Sequence, residues 1–268
     1  MKKLLFVHIP KSGGTTIRYW LSANYQFNHS PIYLFEHQDK RADEKRLLKL
    51  KTFDDSHIIE GGHYVNSNFK KGLFGSDLSK LNFEERFPDY KLITFMRDPL
   101  ERAISLYKHL IGFSNLKNLR TKRIMAMFLR GWFYRRSYKY NLREMLKEKM
   151  QDYKDINTFL LHFDCGISDK YFPSSLTDSN YMRIIDERYF FVGTTENIEL
   201  SLKEFSKMMP CVENLKPINR KNISTKNFKK NLVAGSVKDS TVELFKKKYE
   251  LDYKIYDYIN SKFYSHKN

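Results

Sequence analysis

Residues 3–16 read KLLFVHIPKSGGTT, and this stretch indicates the fold. Lys3–Ile9 is a short apolar run of the kind that forms a buried strand. A tight loop with two adjacent glycines follows it at once. Apolar residues then recur at helical spacing: Ile17, Trp20 and Leu21. The stretch therefore predicts a strand, a loop and a helix.

Three further short apolar segments predict strands, and each is followed by turn residues or a helical pattern. They are Ser56–Glu60, Tyr90–Met96 and Tyr189–Val192. Pro99 suits the first turn of a helix after the third strand, and a helix is expected over about 197–208. Short apolar strands separated by helices predict an α/β fold with a central parallel sheet flanked by helices.

The C-terminal part predicts one long amphipathic helix. Residues 240–243 have the form of a capping box, and apolar side chains recur every three or four positions as far as Phe263. The chain contains no internal repeat and no linker-like segment. A single domain over 1–268 is therefore expected, with a helical insertion at about 114–152 that could bind a ligand.

Composition excludes several classes of protein. The 268 residues are 41% hydrophobic and 15% aromatic, which is too apolar for a disordered chain. Two cysteines are too few for a disulfide framework, and no cluster of ligands indicates a metal site. No apolar run is long enough for a membrane helix or a signal peptide. We expect a cytoplasmic protein without a transmembrane segment.

The charge of the chain points to anionic partners. It has 48 Lys and Arg against 31 Asp and Glu, a net charge of +17. A positive potential concentrates nucleic acids, acidic polysaccharides, membranes and nucleotides alike. Residues 117–150 hold eleven of the basic residues. They suit either a solvated helix face or a binding surface.

The loop after the first strand has the composition of a phosphate cradle. Glycines allow close approach to a ligand, and the N–H groups at a helix start attract anions. The loop differs from a Walker A motif, because its lysine precedes the glycines. The predicted anion-binding residues are Lys11, Ser12, Gly13, Gly14, Thr15 and Thr16.

A second anion site is expected after the third strand. Arg97 stands at the strand end, where its guanidinium offers a fork of donors that suits a phosphate. Ser105, two helical turns on, can face the same side of the helix as residue 101. Arg97 and Arg102 would also suit surface ion pairs.

Both loops resemble those of sulfotransferases that use 3′-phosphoadenosine 5′-phosphosulfate (PAPS). Residues 8–16, HIPKSGGTT, are similar to the 5′-phosphosulfate loop HIPKTGGTS of one branch of this family. That branch contains the heparan and chondroitin sulfate sulfotransferases, including the uronyl 2-O type, and bacterial relatives. Residues 97–107 resemble the 3′-phosphate signature RDPxxRxxSxY. Residues 193–196 resemble the Val-Gly-x-Thr-Glu segment, and 251–263 the closing helix, of the same branch.

The resemblance implies a sulfotransferase fold of P-loop type and sulfuryl transfer from PAPS, with adenosine 3′,5′-bisphosphate (PAP) as product. Arg97 and Ser105 would hold the 3′-phosphate, and Arg102 would be structural. Lys11 would be catalytic, beside the bridging oxygen of the leaving group. The reaction needs no metal. Residues 219–224 are similar to a loop that covers the nucleotide, although a solvated loop is an equal alternative.

The base that deprotonates the acceptor is expected in a loop at the strand ends. Gly61-Gly62-His63-Tyr64 follows the second predicted strand, and an imidazole suits proton transfer near neutrality. The segment also resembles the one that carries the catalytic histidine in the uronyl 2-O branch. His63 is the preferred base, with Glu60 or His57 as alternatives. His8 is expected to pack or orient the phosphate loop.

A carbohydrate hydroxyl is the acceptor that the resemblance favours. A small-molecule or lipid-linked alcohol is the nearest alternative. Two other classes stay open on the residues alone. One is a nucleoside-triphosphate-dependent kinase, for which a magnesium-binding carboxylate is not apparent. The other is a non-catalytic polyanion-binding protein, which leaves the two phosphate loops unexplained. Nucleic acid is not the expected partner.

Overall fold

The computed structural model describes residues 3–25, 27–32, 58–61, 90–114, 150–153, 155–173, 175–209, 215–218 and 236–264. Its strands are β1 (Lys3–Val7), β2 (Phe27–Ile32), β3 (Ile58–Gly61), β4 (Tyr90–Met96) and β5 (Tyr189–Thr194). Its helices are α1 (Gly14–Asn24), α2 (Pro99–Ser114), α3 (Ile156–His162), α4 (Ser168–Tyr171), α5 (Tyr181–Arg188), α6 (Ile198–Met208), α7 (Asp239–Lys248) and α8 (Glu250–Tyr264).

The described strands form a parallel sheet in the order β2-β3-β1-β4-β5. Central strand β1 pairs with β3 on one side and β4 on the other, so that Leu5 is in register with Ile59 and Leu92. Strand β5 pairs in parallel with β4. The predicted α/β fold with a parallel sheet is confirmed. In such a sheet all carboxyl ends meet at one edge, which is where ligands bind.

Alternate residues of the strands face two separate cores, because side chains alternate across a pleated sheet. On one face, Leu5 and Val7 of β1 pack with apolar residues of α5 and α8, such as Ile255. On the other face, Leu4 and Phe6 pack with residues of α1 and α6. Burial on both faces explains why the strands read as continuous apolar runs.

Strand β2 is the described strand that the sequence pattern does not predict. Its sequence, FNHSPI, has little of the apolar character of a central strand. It lies at an edge of the described sheet and pairs only with β3, with an irregular register between Asn28 and Ile32. Edge strands tolerate proline and polar residues, so this strand lacks the pattern from which it could be recognised.

The predicted C-terminal helix is two helices in the structure. Helix α7 begins at Asp239, one residue before the predicted capping box, and the helical run is interrupted at Tyr249. The Tyr253 N–H donates to the Tyr249 carbonyl (3.2 Å), so helical bonding resumes directly. The apolar spacing continues across the break, and periodicity therefore does not reveal it.

The chain divides into two compact units. The first holds residues 1–102, 166–223 and 246–268 and includes the whole sheet. The second holds 103–165 and 224–245. In the second unit, the Asp155 carboxylate caps α3 by accepting from the N–H groups of Asn157 (2.8 Å) and Thr158 (3.0 Å). The single domain with an insertion at 114–152 stays a prediction.

A helix that spans a bilayer needs about 20 mostly apolar residues, and none of the described helices provides such a stretch.

Candidate active site

The loop between β1 and α1 has an unusual backbone conformation. Lys11 (φ 69°) and Gly13 (φ 68°) both lie in the left-handed region. Glycine adopts this region freely, whereas a lysine does so at a cost of about 1–3 kcal/mol. The Ser12 N–H donates to the Ile9 carbonyl (3.3 Å), which closes the turn. Two positive φ angles and this hydrogen bond therefore define one compact backbone conformation of the loop.

Gly14 is required because the His8 ring occupies the space beside it. A Cβ atom on Gly14 would lie 1.8 Å from His8 Nε2. His8 is 4% exposed, and its ring stacks on Phe6 with the centroids 5.8 Å apart. The imidazole therefore supports the loop from beneath, in agreement with the predicted packing role.

The start of α1 presents groups that suit an anion. Gly13 is the N-cap and provides no side-chain cap, and the first N–H groups of a helix have no partner within it. Ser12 is 1% exposed, and its buried Oγ has no hydrogen-bond partner among the described residues. A phosphate at this place would supply the acceptors that such donors need.

Lys11 and Arg97 are brought together by the fold. Lys11 is half-buried, and burial lowers its pKa from the ordinary value of 10.5. The Arg97 guanidinium lowers this pKa further by charge repulsion. The two residues follow the ends of β1 and β4, which pair in parallel. The loops after β1 and β4 therefore share one positive site, and a bound anion would relieve the repulsion.

Two carboxylates balance the charge of Arg97. Glu101 Oε2 lies 3.0 Å from Arg97 Nη2, one helical turn along α2. Glu196 Oε1 lies 3.9 Å from Arg97 Nε. Asp98 caps the start of α2, because its Oδ1 accepts from the Glu101 N–H (2.9 Å). Arg97 is one-third exposed, so a ligand can reach it.

The end of β5 completes this edge of the sheet. The Thr195 N–H donates to the Met96 carbonyl (2.9 Å), and Thr195 Cγ2 lies 2.9 Å from where a Cβ of Gly13 would be. Glu196 Oε1 also accepts from the Asp98 N–H (3.2 Å). The Glu196 carboxylate and burial both raise the pKa of Tyr256 on α8. The loops after β1, β4 and β5 are therefore linked.

Glu196 and Tyr256 were not predicted as site residues. Glu196 belongs to the Val-Gly-x-Thr-Glu segment, which was the available signal. Tyr256 is one apolar-face position of a C-terminal helix, and its spacing indicates packing alone. Its approach to Glu196 depends on how α8 crosses the sheet.

Arg102 has the structural position that the sequence favoured. It is 2% exposed and interacts electrostatically with Asp252, which is 1% exposed. The Asp252 carboxylate also accepts from the N–H groups of Ile167 (2.8 Å) and Ser168 (2.7 Å). Both side chains are buried, and the Asp252 carboxylate joins α8 to the start of α4.

Some of the remaining predicted residues lie within the described part of the chain and others lie outside it. Thr15 is half-buried and Thr16 is buried in the first turn of α1. Ser105 is half-buried in α2 and belongs to the second compact unit, so its partnership with Arg97 stays a prediction. His63, His57 and residues 219–224 lie outside the described residues, as does the basic stretch from 117 to 149. Glu60 lies in β3, of which only the backbone is described.

Comparison with known proteins identifies the family. The model of the Sulfotransferase family matches residues 1–259. The chain belongs to the sulfotransferase family. Among solved structures, it is similar to the crystal structure of a sulfotransferase from Alicyclobacillus acidocaldarius, with 10% identity, a TM-score of 0.47 and coverage of 98% of this chain and 96% of that chain. No curated protein matches it.

Membership of the sulfotransferase family makes this protein a transferase and supports sulfuryl transfer as its reaction. The uronyl 2-O branch within the family stays a prediction. Across the described part of the chain, no group of three or more His, Cys, Asp or Glu side chains is arranged to hold a metal ion.

Proposed function

We propose that this sulfotransferase transfers a sulfuryl group from PAPS to a hydroxyl group of a carbohydrate or glycoconjugate. The observation that supports the donor is the parallel pairing of β1 and β4, which brings the Lys11 loop and Arg97 to one edge of the sheet. A donor with phosphate groups on both its 5′ and 3′ sides requires two such loops. Family membership supports the reaction.

The 5′ side of the donor is assigned to the loop after β1. The N–H groups of Gly13 to Thr16 and the hydroxyls of Ser12, Thr15 and Thr16 would bind the 5′-phosphate. Lys11 would lie beside the bridging oxygen, on which negative charge develops as the sulfuryl group departs. A preorganised cation in a partly desolvated site stabilises such charge without reorganisation. The buried, unpartnered Oγ of Ser12 fits this assignment.

The 3′ side is assigned to Arg97, with Ser105 as its proposed partner. The reaction breaks the bond between sulfur and the bridging oxygen and forms one between sulfur and the acceptor oxygen. His63 would accept the proton of the acceptor hydroxyl. Positioning of the two substrates supplies much of the rate enhancement.

The acceptor is proposed from the family resemblance and from the charge of the chain. A net charge of +17 favours an anionic glycan over a neutral alcohol. Acceptor classes can be separated by incubating the protein with ³⁵S-labelled PAPS and either an unsulfated glycosaminoglycan or a series of simple alcohols. Label in the polysaccharide is the expected result. A cytoplasmic location remains a prediction.

The donor assignment is tested by calorimetric titration with PAP. Arg97→Ala should weaken binding about 10- to 100-fold, because a charge-assisted hydrogen bond contributes about 1.5–3 kcal/mol. Arg183→Ala is the matched control, since Arg183 forms a similar pair with Glu187 (3.0 Å) on α5. The control should bind as the wild type does. Absence of PAP binding, or equal affinity after Arg97→Ala, would contradict the proposal.

A further inference from the structure

The two carboxylates beside Arg97 are held very differently. The Glu196 carboxylate accepts from the Asp98 N–H and interacts with Tyr256, so it is fixed by contacts beyond Arg97. The Glu101 side chain is 56% exposed, and its ion pair with Arg97 is a contact within one turn of α2. Of the two partners, Glu101 is therefore the one that can leave.

An exposed pair at i and i+4 is easily exchanged. Such pairs are weak because water screens them and because two flexible side chains must be ordered. A phosphate carries more charge than a carboxylate and accepts two parallel hydrogen bonds from a guanidinium. Arg97 Nη2 donates to Glu101 Oε2 (3.0 Å), so a phosphate that binds this nitrogen competes with Glu101.

We propose that Glu101 is an internal competitor, which occupies Arg97 until the 3′-phosphate of the donor displaces it. Glu196 remains in place throughout and holds Arg97 at Nε. This inference rests on the proposed function, because it assigns the 3′-phosphate to Arg97. It gives Glu101 a role in specificity: a ligand without a 3′-phosphate leaves the ion pair intact and gains nothing from Arg97.

The test is titration of Glu101→Gln with PAP and with adenosine 5′-monophosphate (AMP). Glutamine keeps the size of the side chain and removes the competing charge. We expect PAP to bind about two- to fivefold more tightly, from the strength of an exposed ion pair and the removed repulsion. AMP lacks the 3′-phosphate, and its affinity should stay within error of the wild type.

Glu187→Gln is the matched control for loss of a glutamate. Glu187 forms the same kind of pair with Arg183, at 3.0 Å and with similar exposure. The Glu187 carbonyl accepts from the Lys91 side chain near the start of β4, and Arg97 follows the end of the same strand. Six residues of extended strand span about 20 Å, so the Arg183–Glu187 pair lies about that far along the sheet from the Arg97–Glu101 pair. This variant should bind PAP as the wild type does.

A double-mutant cycle separates displacement from general repulsion. In an Arg97→Ala background, Glu101→Gln should change PAP affinity much less than in the wild type, because no guanidinium is freed. An equal gain in both backgrounds, an equal gain for AMP, or no gain for PAP would overturn the inference while leaving the donor assignment intact. A wild-type protein that does not bind PAP would overturn both.

Discussion

Replacing Gly14 by alanine would put a methyl group where the His8 imidazole lies. The new Cβ atom would be 1.8, 2.2 and 2.5 Å from three atoms of that ring. Carbon atoms in contact need about 3.5–4 Å, so the ring or the loop has to move by about 2 Å. His8 has no free space, since it is 4% exposed and stacked on Phe6.

The expected loss of stability follows from this overlap. Overpacking of a buried site costs about 1–3 kcal/mol. For a protein of this size, each kcal/mol lowers the melting temperature by about 2–4 °C, so Gly14→Ala should lower it by about 2–12 °C. The Lys11 loop would shift as well, and PAP affinity should fall in the same variant.

Calorimetric melting of a double-mutant cycle isolates the cause. In a His8→Ala background the clash is absent, and alanine in the first turn of α1 should be neutral or stabilising by about 0.5–1 kcal/mol relative to glycine. Gly166→Ala is a second control, because its Cβ would meet the Asp169 carboxylate at 2.5 Å, and this exposed side chain can rotate away. Equal losses from Gly14→Ala in both backgrounds would refute the steric argument.

Three other variants test the site and its support. Lys11→Met should raise the free energy of unfolding at pH 7 and abolish PAP binding. The gain over the wild type in urea denaturation should shrink as the pH rises towards 10.5, because the folded wild type releases the lysine proton before the unfolded chain does. A gain that is independent of pH would contradict this. Asp252→Asn should lower the free energy of unfolding by about 1–3 kcal/mol in urea denaturation, since an amide has one oxygen and cannot accept from both the Ile167 and the Ser168 N–H groups, and an unchanged free energy of unfolding would contradict this role of the carboxylate. His63→Ala should reduce sulfuryl transfer by about 10²–10⁴-fold without changing PAP affinity, and unchanged turnover would remove His63 from the mechanism.

Local sequence patterns predicted most of the sheet because its strands are buried on both faces. Strand β4 was predicted with the bounds that the structure has, and β1, β3 and β5 differ by one or two residues at an end. Pro99 begins α2 as expected. Strand β2 was missed because an edge strand needs no apolar pattern, and the interruption at Tyr249 was missed because apolar spacing passes through it.

The candidate site was predicted in parts, each from its own segment. The composition of residues 8–16 predicts an anion-binding loop, since glycines and a lysine beside a helix start suit a phosphate. Arg97 was identified by its motif. Glu196 lies in the Val-Gly-x-Thr-Glu segment, which was noted without a role for the glutamate. Tyr256 gave no local signal, because a tyrosine on a helix face is common in any fold.

The sequence by itself determined the strands that are buried on both faces and the composition of each loop, because both depend on neighbouring residues. Only the tertiary structure decided that Lys11, Arg97 and Glu196 share one edge of the sheet. These residues are separated by 86 and 99 positions in the chain, and they meet because parallel pairing of β1, β4 and β5 aligns the carboxyl ends of the strands. The ion pair between Arg97 and Glu196 is a property of that alignment, whereas the pair with Glu101 is local to α2.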